Sequence, residues 1–227
     1  MLDIHDAPSP NFDNRRAPPD LLVLHYTGMQ TAEAAIARLR DPSAAVSAHY
    51  VVDEDGRILR LVAEERRAWH AGQGEWQGEA DCNAASIGIE IVNPGHEFGY
   101  RPFTDIQIAA VTTLVADIRS RWTIPDSRII AHSDLAPARK QDPGELFPWK
   151  ALAAAGHGLW FEPAPERIAA LGPDLTLGDE GLGVIVMRAG LHRLGYGLKP
   201  GGSYDDDTTL MGVLQLATAE SPTGVLN

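Results

Sequence analysis

Apolar and polar positions show no period over residues 1–20, which are rich in proline with Asn, Asp and Arg between. They predict an irregular arm over the surface. Leu21 to Leu24 form a continuous apolar run that closes on His25-Tyr26-Thr27, the pattern of a strand buried on both faces. Alanine-rich residues 31–39 place Ile36 and Leu39 at helical spacing, and Asp41-Pro42 ends that helix. Residues 48–52 and 57–62 read as short strands joined by the hairpin turn Asp53-Glu54-Asp55-Gly56. Residues 69–85 mix Gly, Asn, Gln and Trp without period and predict a long loop, of the kind that often carries function. Residues 86–92 alternate, which puts Glu90 on one strand face with Ser86 and Gly88. Thr104 caps an amphipathic helix to about Arg121, with Gln107 completing a capping box. Residues 128–131 form a short strand into His132, followed by a polar loop over 133–145 and a helix over 148–155.

Strands alternate with helices, and the hairpin makes one pair antiparallel. The expected class is therefore α/β, with a mixed central sheet flanked by helices. Composition shifts to Pro, Gly and acidic residues near 163–180, which reads as a linker. Beyond it Leu182, Ile185, Val186, Ala189, Leu191 and Leu194 repeat at helical spacing, Gly195-Tyr196-Gly197 stops the helix, and residues 208–216 predict another. The expected organisation is an arm (1–20), a main domain (21–162), the linker (163–180) and a small helical module (181–227).

Composition narrows the function. Apolar residues at 44% and charged residues at 22% suit a soluble globular chain of 227 residues. A net charge of -12 repels phosphate backbones, so no nucleic-acid partner is expected. No apolar run is long enough for a membrane span. The single cysteine, Cys82, allows no internal disulfide and reads as a packing residue. The first six residues show neither a basic nor an apolar leader segment. A cytoplasmic location is the expectation, with the periplasm as the alternative if a leader is removed, and a monomer is expected.

His25 and His132 each follow an apolar strand run, which places both at strand ends, where α/β clefts form. Neutral imidazole on a rigid strand end is a good zinc ligand, and a catalytic zinc needs about three protein ligands and an open position. Asp142, ahead of the Pro143-Gly144 turn, is a candidate third ligand; Asp134 is its rival, or else a turn former. His49 reads as a core residue or as support behind the ligands. Trp69 and His70 are candidates for a substrate-groove wall, and Asn83 and Arg139 for contacts to substrate amide or carboxylate groups. His5, His96, His157 and His192 read as surface residues.

Seven segments, in order, resemble the AmpD/AmiD family of zinc-dependent N-acetylmuramoyl-L-alanine amidases. They are Ser9-Pro10-Asn11-Phe12-Asp13-Asn14-Arg15, Leu22-Val23-Leu24-His25-Tyr26-Thr27, Ser47-Ala48-His49-Tyr50, Arg67-Ala68-Trp69-His70-Ala71-Gly72, Asn83-Ala84-Ala85-Ser86-Ile87-Gly88-Ile89-Glu90, Ala131-His132-Ser133-Asp134 and Pro137-Ala138-Arg139-Lys140-Gln141-Asp142-Pro143-Gly144. The resemblance covers about residues 9 to 152. It implies one zinc ion on His25, His132 and Asp142, and a catalytic pair at Glu90 and Lys140. It also implies peptidoglycan fragments as substrate, either anhydro-muropeptides or murein, cut between the lactyl group and L-alanine. Leu191-His192-Arg193-Leu194-Gly195-Tyr196 and Tyr204-Asp205-Asp206-Asp207-Thr208 resemble, more briefly, a peptidoglycan-binding helical module. Two rival readings are a recognition module that binds peptidoglycan without cutting it, and a zinc peptidase acting on the stem peptide. Related recognition proteins that lack activity lose a zinc ligand, whereas all three are present here.

Overall fold

The apolar run at residues 21–26 becomes strand β3 (Leu21–Tyr26), whose first five residues are buried. Alternation sends Leu22 and Leu24 into one apolar cluster and Leu21 and Val23 into another, so the strand has a core on both faces. This computed structural model describes residues 2–162, 164, 166, 175–198 and 201–205. β3 pairs in parallel with β7 (Ser86–Ile91) on one side and β8 (Ile129–Ala131) on the other. Beyond β7 lies β4 (Tyr50–Val52), parallel to it, and then the antiparallel hairpin partner β5 (Ile58–Arg60). β1 (Ile4–Asp6) closes the edge in parallel with β5, giving the order β1-β5-β4-β7-β3-β8. The mixed sheet expected from the pattern is present, with the hairpin as its one antiparallel pair.

Helix α4 (Asp105–Arg121) lies over one face. Thr104 Oγ1 accepts from Gln107 N–H at 3.2 Å, which is the N-cap half of the expected capping box; the Gln107 side chain does not close the box and instead donates to the carbonyls of Val52 and Val92. Its Val111, Leu114, Val115 and Ile118 bury against Leu22, Leu24, Ile87 and Ile89. Burying such side chains contributes about 1.5–3 kcal/mol each, which is what holds the helix to the sheet. α1 (Ala32–Arg40) is capped by Thr31 and buries Ala35 and Leu39. α6 (Trp149–Ala154) buries Trp149 and Leu152.

Three expectations are corrected. Residues 1–20 are not irregular throughout, because they supply β1 and also β2 (Phe12–Asn14), which pairs with β6 (Arg66–Ala68) in a separate two-stranded sheet. Strands of three residues carry no readable period, and these find their partners far along the chain. The long loops contain single helical turns: α2 (Cys82–Ala85) within 69–85, and α5 (His132–Leu135) at the start of the expected polar loop. A third turn, α3 (Gly95–Phe98), follows β7.

α7 (Leu182–Leu194) forms as its spacing predicts and stops at Gly195, whose φ of +137° suits glycine. Leu191, Tyr196 and Leu198 share an apolar cluster with Leu21, Val23, Trp76, Cys82 and Ile130, so this segment packs directly on the main domain. Cys82 is a buried packing residue, as expected. Most of the expected linker, and the second helix expected over 208–216, lie outside the described residues. Among those described, no helix is long and apolar enough to cross a membrane.

Candidate active site

The two strand ends and the loop beyond α5 bring three donors together. His25 Nδ1 lies 2.9 Å from His132 Nδ1 and 3.0 Å from Asp142 Oδ2, and His132 Nδ1 lies 2.9 Å from the same oxygen. All three side chains are buried.

Hydrogen bonds behind the rings settle where their protons sit. Ser86 Oγ–H donates to the Cys82 carbonyl, so its lone pair accepts from His70 Nε2–H at 3.2 Å. His70 Nδ1 is then an acceptor, and His25 Nε2–H donates to it at 3.0 Å. His25 Nδ1 is left with its lone pair. Independently, His132 Nε2–H donates to the Ala71 carbonyl at 2.9 Å, which leaves His132 Nδ1 a lone pair in the neutral ring. Burial, and then the neighbouring His132, lower the His25 pKa to about 4, so the ring is neutral at pH 7. Two ring lone pairs and a carboxylate oxygen therefore face one another about 3 Å apart. A cation between them satisfies all three, and two imidazoles with one carboxylate suit zinc.

Glu90 stands beside His25, its register partner across β3 and β7. Its Oε2 is buried and makes no hydrogen bond. Burial raises its pKa well above the usual carboxyl range; the charge of Asp142 adds to that and Lys140 opposes it. Lys140 also lines the cleft, a cavity of about 640 Å³ over the three donors. Arg38, Trp69, His70 and Arg139 belong to the same lining.

The remaining expected site residues divide. Trp69 lines the cleft, with its indole N–H donating to Asp13. His70 also lines it, but its chief contact is to His25, so it supports a ligand as well as forming a wall. His49, expected behind the ligands, is one step further back. Its ring meets His70 edge-on at 5.6 Å, and its Nδ1 accepts from Gly88 N–H. Asn83 is not among the residues lining the cleft; its Oδ1 accepts from the N–H groups of His70 and Ala71, which shapes the loop. Arg139 lines the cleft, yet its guanidinium also donates to the carbonyls of Ala71 and Gln73. Asp134, the rival ligand, points elsewhere: Oδ2 accepts from Ala131 N–H and Oδ1 from the Tyr196 hydroxyl.

Some lining residues carry no signal in the sequence pattern. His96, read as a surface residue, stacks on Tyr100 with ring centroids 4.4 Å apart and contacts the Tyr26 hydroxyl and Glu145 at the cleft rim. Its position just past the end of β7 is the one clue that strand-end reasoning could have used. Arg15 reaches from the arm to the carbonyls of Ala84, Arg66 and Ser86 and against His49.

Residues 15–145, more than half of the chain, match the family model described as N-acetylmuramoyl-L-alanine amidase, Amidase_2. The chain belongs to this amidase family. It is 40% identical over 160 residues to the N-acetylmuramoyl-L-alanine amidase AmiD of Escherichia coli (strain K12), a match covering 65% of this chain and 56% of AmiD. It is 34% identical over 175 residues to the 1,6-anhydro-N-acetylmuramyl-L-alanine amidase AmpD of Haemophilus influenzae, covering 66% of this chain and 90% of AmpD. Among solved structures, AmpDh3 of Pseudomonas aeruginosa superposes with a TM-score of 0.78 at 29% identity, covering 100% of this chain and 94% of that one. AmiD from E. coli, solved with the substrate anhydro-N-acetylmuramic acid-L-Ala-D-γ-Glu-L-Lys, gives a TM-score of 0.73 at 33% identity, covering 89% of this chain and 80% of AmiD. The five residues of the ligand set and its neighbours, His25, Glu90, His132, Lys140 and Asp142, all fall inside the amidase match.

Proposed function

We propose that this member of the amidase family hydrolyses the amide between the lactyl group of anhydro-N-acetylmuramic acid and the L-alanine of the stem peptide. The observation that carries the reading is the buried triangle of His25, His132 and Asp142 donor atoms beside a buried carboxyl oxygen that has no hydrogen-bond partner. The relatives named for this activity support the choice of substrate.

A zinc ion held by His25, His132 and Asp142 would polarise the scissile carbonyl and acidify the attacking water. Glu90 takes a proton from that water as its oxygen bonds to the carbonyl carbon. The same carboxyl returns the proton to the amine nitrogen as the C–N bond breaks. A carboxyl whose pKa is raised by burial suits both halves of this cycle, because it can hold a proton where a free glutamate cannot. The Lys140 ammonium stabilises the oxygen on which negative charge develops. Arg38 and Arg139 line the same cleft and suit the carboxylates of a stem peptide, on a chain whose net charge is otherwise acidic.

The test is mass spectrometry of products after incubating the zinc-loaded chain with a soluble anhydro-muropeptide and, separately, with polymeric peptidoglycan. The expected products are the sugar lactyl acid and an intact peptide with an L-alanine amine. Free amino acids would indicate a stem peptidase instead, and binding without cleavage a recognition module. Either result overturns the proposal.

A further inference from the structure

Asp134 lies two residues beyond His132 and ties the turn that carries it. Its Oδ2 accepts from Ala131 N–H at 2.8 Å, which caps the first turn of α5. The same turn reaches the third donor, since Ser133 N–H donates to the Asp142 carbonyl at 3.0 Å. The other oxygen of Asp134 is held from a distant part of the chain: the Tyr196 hydroxyl donates to Oδ1 at 2.5 Å.

Tyr196 is itself firmly placed. It is 1% exposed, and its ring meets Trp76 edge-on at 5.0 Å. Gln77 N–H donates to the Gly195 carbonyl at 2.7 Å. A Cβ on Gly195 would lie 2.6 Å from the Trp76 ring, so only glycine lets the two segments close this tightly. Tyr196 also lies beyond residue 145, outside the stretch that matches the family model.

We infer that Tyr196 is a positioning residue for the metal site, holding through Asp134 the turn that presents His132 and steadies Asp142. The inference rests on the reading that His25, His132 and Asp142 hold zinc. It gives the segment after α7 a part in the amidase domain. That segment shares the main domain's core, and it also restrains the ligand turn at a single hydroxyl.

Two variants separate this role from plain packing. Tyr196→Phe keeps the ring against Trp76 and removes only the hydroxyl. Leu191→Ala weakens the packing of the same segment without touching Asp134. The full-length, zinc-loaded chain and both variants are mixed with excess chelator at 25 °C, and the rate of zinc loss is followed beside each Tm. Partners that orient ligands are typically worth 10–100-fold in metal affinity, so Tyr196→Phe is expected to speed zinc loss by about tenfold, and Leu191→Ala by no more than about twofold despite its lower Tm. Zinc loss from Tyr196→Phe at the parent rate overturns the inference. So does zinc loss that simply follows Tm in both variants. A parent chain that takes up no zinc overturns the metal reading and this inference with it, whereas zinc-loaded protein without amidase activity would overturn only the proposed reaction.

Discussion

His25 and Glu90 are register partners on adjacent parallel strands, β3 and β7. Backbones in such a pair lie about 4.8 Å apart and are tied by ladder hydrogen bonds. A metal-ligand candidate and a candidate acid–base group therefore share one rigid frame, with little freedom to drift apart. The face is determined by alternation. Ile87, Ile89 and Ile91 enter the core under α4, which sends Ser86, Gly88 and Glu90 to the other side. Each of those three has a task there: Ser86 bonds His70, Gly88 makes room for it, and Glu90 faces the cleft.

Glu90→Gln tests the acid–base role. The amide keeps the size of the side chain but cannot cycle a proton. Turnover of an anhydro-muropeptide is expected to fall at least about a hundredfold, the scale of one lost acid–base group. Zinc content should stay at the parent value, because Glu90 is not among the three donors. The variant should be about as heat-stable as the parent, since the amide has the size of the carboxyl and the buried Oε2 has no hydrogen bond to lose. Turnover close to that of the parent would remove Glu90 from the mechanism.

Lys140→Met tests the charge in the cleft. Among the described residues, no hydrogen bond or ion pair holds the Lys140 side chain, so its loss should barely change Tm. Losing one group that stabilises a developing oxyanion costs about 10²–10³ in kcat. The loss is expected in kcat more than in KM, measured by steady-state kinetics on one muropeptide. A change confined to KM would make Lys140 a ground-state contact instead.

Gly88→Ala probes the support of His25 through His70. A Cβ at Gly88 would lie 2.5 Å from the His70 ring, which is held between His25 and Ser86 by hydrogen bonds. The ring must shift, and with it the acceptor that orients His25 Nε2. We expect faster zinc loss to a chelator and a destabilisation of about 1–3 kcal/mol, typical of overpacking. Gly190→Ala is the control. It sits in α7 with nothing within 4 Å of an added methyl group, and helix propensity alone should make it neutral or about 0.5–1 kcal/mol stabilising. Equal effects at the two positions, in Tm and in zinc loss, would contradict the argument.

Much of this site is legible in the residues because its key members stand where strong patterns end. Leu21 to Leu24 is apolar enough to be only a central strand, so His25 has to lie at its end. The alternation of residues 86–92 by itself puts Glu90 on a defined face. The choice of Asp142 over Asp134 does not follow from spacing. It depends on the loop after α5 folding back so that Ser133 N–H meets the Asp142 carbonyl. The strands of the arm are hidden because three residues carry no period, and their partners lie far along the chain. The place of Tyr196 is hidden for the same reason, since its bond to Asp134 spans 62 positions. Asn83 illustrates a different limit. An amide in a Gly-rich loop looks available to substrate, but such loops have backbone N–H groups to satisfy, and two of them claim it.

Acid stability should report on Glu64, at the far side of the sheet from the cleft chemistry. Its carboxylate is 6% exposed and accepts four hydrogen bonds: from the Tyr50 hydroxyl, from the Trp122 indole and twice from the Arg121 guanidinium. Burial is the largest single influence and raises the pKa, but the bonds from Arg121, Trp122 and Tyr50 together outweigh it and leave the value below the usual range. A folded-state pKa below the unfolded one means that the folded protein binds the proton less readily. The stability this group contributes is therefore fully present above the unfolded pKa of about 4.3, and is lost as pH falls through the folded value. Glu64→Gln removes the charge and leaves one position facing Arg121 with a donor. Arg121 is partly exposed and can turn to solvent, so we expect a loss of about 2 kcal/mol at pH 7, near the range for hydrogen bonds to a charged group. For a chain of this size that is about 4–8 °C in Tm. His25, its pKa lowered to about 4 chiefly by burial, also titrates in acid, so the informative quantity is the difference in Tm between parent and variant at each pH, taken on metal-free protein. That difference should be constant from pH 7 to about pH 5 and shrink below it, as the parent protonates Glu64 and loses the advantage. A difference that stays constant down to pH 3 would show that the four bonds do not depend on the charge.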